Sequence, residues 1–128
     1  IVLKDGADTP VDVTFKTKTN DNRISLWEDR DAGIPIGYPT VRLQTSDSKS
    51  VRKVKISIAE PKVESGSIDG TGFTPTPRVA FTHRATQEFF LPMQGSRAQR
   101  ANILAYMRSC LDNPDFINII LDGDEITG

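Results

Sequence analysis

Arg42, Lys53 and Lys55 are the side chains of this sequence whose type and spacing could do chemistry, and that chemistry is phosphate binding. Residues 50–63 read SVRKVKISIAEPKV. Val54, Ile56 and Ile58 alternate there with Lys53, Lys55, Ser57 and Ala59, the period of a strand with one buried face. A purely solvated face usually mixes signs, yet this one opens on two lysines beside Arg52 and meets no acid until Glu60. Residues 40–45 repeat the pattern, with Val41 and Leu43 on one side and Thr40, Arg42 and Gln44 on the other. The SDSKS segment between the two runs turns the chain, so they form a hairpin and Arg42 shares a face with the lysines. Lys and Arg supply affinity for phosphate, while Thr, Ser and Gln add shorter-range hydrogen bonds. The competing reading is an ordinary wet β-surface whose lysines discourage edge pairing.

Other chemistry finds little support. His83 is the only histidine and has no assignable Ser or Cys nucleophile nearby, so it reads as a structural or polar sheet-face residue. Cys110 falls late in an amphipathic helical pattern, where a buried, inert thiol is the common case. The DGDE run at residues 122–125 lacks the ligand spacing of a calcium loop, and no metal site or cofactor is expected. Neither a GxxxxGK[ST] nor a GxGxxG motif is present, so no small-molecule substrate is indicated. Trp27, Phe81, Phe89 and Phe90 could be base-stacking aromatics, but for Phe81 and Phe89 core packing is the preferred reading. An RRM-type aromatic strand is missing. These absences argue against an enzyme.

The 128 residues suit one domain with a modest core. Hydrophobic residues are 37% and charged residues 26%, usual for a folded soluble chain. No apolar run approaches the roughly 20 residues needed to span a bilayer, so no membrane partner is expected. The net charge is −1, but its distribution is uneven. Arg42, Lys49, Arg52, Lys53, Lys55 and Lys62 crowd the middle, whereas from Cys110 onward every charge is acidic. Two chemically different surfaces follow.

The elements that must position these residues are strands first and helices last. Residues 1–3 and 11–15 are short β-type runs joined by turn residues, and residues 23–28 alternate Ile24 and Leu26 against Ser25 and Trp27. Gly33, Pro35, Gly37 and Pro39 break the connection that follows. Residues 64–77 form a long Gly, Ser, Thr and Pro loop, a length that is usually functional or mobile. Residues 78–91 resume strand character, with Phe81, Ala85, Phe89 and Leu91 expected to be buried and Thr82, Arg84, Thr86 and Glu88 pointing the other way. The period then changes. Ser96 and Gln99 make a capping box, and Ile103, Leu104, Met107 and Leu111 follow at helical spacing. Asn113 and Pro114 start a second, strongly apolar helix that Gly123 stops. The fold class is α+β.

Taken together, IVLKDGADTP, GIPIGYPTVRLQTS, VKISIAEPKV and the two C-terminal helices resemble the coat proteins of the single-stranded RNA bacteriophages, the leviviruses. The resemblance covers essentially the whole chain. It implies a single coat-protein domain over residues 1–128, with the β-hairpin and sheet in 1–95 and a helical arm in 96–128. It also implies an N-terminal hairpin, a five-stranded antiparallel sheet, and two helices that cover a partner subunit's sheet in an interlocked homodimer. Such dimers build a T=3 icosahedral shell, so the chain would belong to the virion and assemble in the bacterial host cytoplasm. The inner sheet face would bind genomic RNA, and one RNA hairpin would be recognised to repress replicase translation. The implied RNA-contacting set is Thr40, Arg42, Gln44, Lys55, Ser57, Arg84 and Thr86, with Lys53 on the same face. Arg84 departs from the family, which often carries a stacking aromatic residue there. A stand-alone dimeric RNA-binding regulator without a shell is the alternative.

Overall fold

The computed structural model describes residues 1–64, 70, 72, 76–123 and 125. Most of the loop expected over residues 64–77, and Asp124 of the acidic end, lie outside them. The chain forms two compact units, Ile1–Phe90 and Leu91–Gly128.

The first unit opens on a hairpin of β1 (Val2–Lys4) and β2 (Asp12–Thr14), paired antiparallel with Val2 opposite Thr14. Its turn is held by Asp5, whose carboxylate accepts the backbone N–H groups of Ala7 (3.2 Å) and Val11 (2.9 Å). These two bonds hold the Asp5 carboxyl below its ordinary pKa of 3.8. Phe15, just after the hairpin, is buried at 7% exposure, one of two buried apolar residues with Val41 among the described residues.

Five antiparallel strands follow in spatial order β3 (Lys16–Asn20), β4 (Ile24–Glu28), β5 (Thr40–Asp47), β6 (Val51–Glu64) and β7 (Arg78–Pro92). Strand β3 has no counterpart in the residue patterning, because KTKTN contains no apolar residue and every position is exposed. It is an edge strand with a register shift between Thr17 and Thr19, and both lysines and bulges blunt an edge against unwanted pairing. The β3–β4 turn uses Asp21 as the first hairpin uses Asp5. Its carboxylate accepts from Arg23 and Ile24 N–H, both at 2.7 Å, and its pKa is lowered accordingly.

A 3-10 turn at Pro35–Gly37 interrupts the β4–β5 connection. A Cβ at Gly37 would lie 2.6 Å from Val63 Cγ2 of β6, so this backbone approach requires glycine unless Val63 shifts. The opposite side of β5 and β6 is apolar as expected, yet of that set only Val41 is buried, at 6% exposure. Ile58 and Phe81 are exposed. Alternation sets the direction in which a side chain points; burial needs a covering layer as well.

In the second unit, Ser96 caps α1 (Arg97–Asp112) in a reciprocal box. Gln99 N–H donates to the Ser96 hydroxyl, and Ser96 N–H donates to Gln99 Oε1 at 2.8 Å. Asn113 caps α2 (Pro114–Asp122), with Pro114 in its first turn, and Gly123 ends it at φ +68°. Many apolar residues of both helices remain open to solvent, among them Ile103, Leu104, Tyr106, Leu111, Phe116, Ile120 and Leu121, while Ile117 and Ile119 are half-buried. Cys110, expected to be buried, is exposed with them.

Candidate nucleic-acid interface

The β5–β6 register assembles the polar face. Thr40 stands opposite Ala59, Arg42 opposite Ser57, Gln44 opposite Lys55 and Ser46 opposite Lys53. Directly opposed residues of an antiparallel pair project from the same side, so these eight positions form one patch. Strand β4 extends it, with Leu26 opposite Arg42 and Ile24 opposite Gln44. Leu26 and Ile24 therefore belong to the basic face, and Trp27, opposite Val41, to the apolar one.

Thr40, Arg42, Lys55, Ser57, Arg84 and Thr86 line an open cup of about 400 Å³, with Leu26 in its wall. Gln44, Lys53 and Lys55, with Ser46, line an adjoining hollow of about 120 Å³. Lys55 is common to both. All eight residues singled out in the sequence thus fall in two hollows that meet at one lysine. The cup offers two guanidinium groups, an ammonium and three hydroxyls on a shallow surface, a donor set suited to phosphate and sugar oxygens.

Two further residues complete the face. Glu88 of β7 holds Lys53 at 3.4 Å and Lys55 at 3.8 Å. Lys53 Nζ also sits 5.4 Å from the centroid of Phe90. Alternation placed Glu88 on this side. The sequence leaves Phe90 open between base stacking and core packing; its parity with Glu88, two residues earlier on β7, puts it on the polar side. His83 lies against Phe81, their rings edge to face with centroids 5.2 Å apart, and neither residue lines the two hollows. Among the described residues, no group of three or more His, Cys, Asp or Glu could hold a metal ion. Likewise, no described helix is long and apolar enough to cross a membrane.

The sequence matches the family model for the levivirus coat protein over residues 1–124. The chain belongs to the levivirus coat protein family. As a coat protein it is a structural component of the virion and not an enzyme. The coat protein is similar to that in the virus-like particle of bacteriophage ESE058, with 27% identity, a TM-score of 0.91, and coverage of 98% of this chain and 96% of that one. The virus-like particle of bacteriophage NT-214 gives 27% identity and a TM-score of 0.84 over the same shares of the two chains. The capsid protein of bacteriophage GA, at 18% identity and a TM-score of 0.76, covers 100% of this chain and 96% of its own, and shares the fold. No curated protein sequence matches. The hairpin, five-stranded antiparallel sheet and two C-terminal helices of this coat protein agree with the fold expected from its sequence.

Proposed function

We propose that this coat protein dimerises, assembles into a T=3 icosahedral shell in the host cytoplasm, and binds genomic RNA on the face built by Thr40, Arg42, Gln44, Lys53, Lys55, Ser57, Arg84 and Thr86. Residues 1–128 act in this reading as a single coat-protein domain. One RNA hairpin bound on that face represses replicase translation. The observation that carries the proposal is the gathering of all eight residues in two adjoining hollows on one side of one sheet.

Dimerisation has support of its own. Strand β7 is an edge strand of 15 residues, and a long edge with unpaired N–H and C=O groups is a template for pairing with a second copy. It carries none of the lysines that protect β3. The exposed apolar residues of α1 and α2 are of the kind that would cover a partner's sheet. Pairing of β7 with its symmetry mate is isologous, so one contact closes the dimer.

The test is direct. The expressed chain should yield closed particles by electron microscopy, with an absorbance ratio that reports enclosed RNA. Particles without nucleic acid would overturn the RNA assignment, and a soluble RNA-binding dimer without particles would favour the stand-alone regulator.

Glu88 offers a test of opposite sign. It neutralises Lys53 and Lys55 on the bare face, and its carboxylate would repel incoming phosphate. Glu88→Gln is expected to tighten RNA binding by about two- to fivefold at low salt, the scale of a partly exposed ion pair. A filter-binding titration reads this, and weaker binding would mean that Glu88 positions the lysines for RNA.

A further inference from the structure

We infer that Phe90 is a stacking platform for an unpaired base of single-stranded RNA, at a station separate from the cup around Arg42 and Arg84. The inference rests on the RNA-binding role proposed above and adds to it a residue outside the expected contact set. Phe90 is 61% exposed although it lies on a sheet rather than a loop. Its ring stands beside Lys53, and Glu88, two residues earlier on the same strand, reaches that same lysine. An aromatic face is thereby set among charged groups on the polar side, where it adds nothing to a core.

The chemistry selects the occupant. Lys53 covers the ring in the free chain, and a cation over an exposed ring is a weaker interaction than a nucleobase stacked on it. When RNA arrives, the ammonium has a better partner in phosphate, and the flanking base takes the ring. The exchange joins backbone and base recognition in adjacent side chains, as in sequence-tolerant single-strand binding sites. Phe90 lies six positions after Arg84, about 20 Å along an extended strand. Phe90 therefore does not replace the aromatic residue that the family often carries where this chain has Arg84; it serves a different nucleotide.

The experiment compares the whole chain with its Phe90→Ala and Phe90→Tyr variants. Each is titrated with a short oligouridine across a salt series and irradiated with the 5-iodouridine analogue. Phe90→Ala should weaken binding by about tenfold with an unchanged salt slope, because no phosphate contact is lost. Phe90→Tyr should bind like the parent, and the crosslink should map to Phe90. Parent-like binding by Phe90→Ala would overturn the inference while leaving the basic face intact. A change in the oligomeric state of that variant would also overturn it, by making Phe90 a packing residue. A parent chain that binds no oligouridine would defeat the RNA-binding role itself, which is a distinct result.

Discussion

Ile120→Asp is expected to abolish soluble assembly. In the proposed dimer, strand β7 supplies an edge for pairing, but backbone hydrogen bonds alone discriminate poorly, and the apolar residues of the helices would supply most of the driving force. Ile120 is 68% exposed and Leu121 74% exposed in the single chain, and Phe116 of the same helix is also open. Fully burying each such side chain contributes about 1.5–3 kcal/mol. An aspartate at the centre of the group removes one of these terms and places a carboxylate in an apolar contact, at a cost of several kcal/mol unless it is paired. The combined penalty is comparable to the whole stability of a small domain. Size-exclusion chromatography with light scattering should show loss of the dimer or insoluble chain. Circular dichroism of any soluble fraction separates loss of assembly from loss of α2, and Ile120→Leu, which keeps the volume, should assemble like the parent. An Asp variant that still forms the parent's particles would show that this side of α2 meets no neighbour.

Element types were readable in the sequence wherever a periodic apolar signal met a specific boundary residue. Ser96 with Gln99, Asn113 with Pro114, and Gly123 mark the helices because each satisfies or replaces a backbone group at a helix end. The polar face was readable for a similar reason, since Arg42, Lys53 and Lys55 alternate with β-branched and aliphatic residues over two runs joined by an obvious turn. Strand β3 was not, because KTKTN has no apolar phase and its pairing depends on β4. Leu26 illustrates a different limit. Alternation separates Ile24 and Leu26 from Ser25 and Trp27, but only the register with Arg42 decides which set joins the basic face. Burial was the least accessible property. Phe81 and Ile58 carry the residue types of a core and are exposed in the single chain. In the proposed dimer these residues would meet a second copy, and an interface uses the same residue types as a core.

Replacing Lys53 and Lys55 together, as Lys53→Ser with Lys55→Thr, is expected to have the largest effect on RNA. Lys55 borders both hollows, and Lys53 links the smaller one to Phe90, so the pair sits where the proposed RNA path is continuous. Both contacts would be with phosphate. Each one lost should lower the salt slope of binding by about one unit, and the double variant by about two. At low salt this amounts to a loss of roughly tenfold or more in affinity, shrinking as added salt screens the parent. Folding should be nearly unaffected. The ion pairs to Glu88 are long and partly exposed, such pairs contribute about 0–1 kcal/mol, and Ser and Thr suit a strand surface. The Glu88 carboxylate would then stand unpaired on the face and repel phosphate further. Particles of the double variant should hold less RNA than those of the parent, or respond less to added RNA as they assemble. Thr86 and Ser57 should behave differently, because a hydroxyl responds to local geometry more than to charge. Their loss should alter which hairpin is preferred while leaving the salt slope unchanged. The decisive measurement is RNA content together with the salt dependence of binding, double variant beside parent. Unchanged values in both would reduce the two lysines to solubilising groups on a wet sheet, and the basic face would have no part in holding the genome.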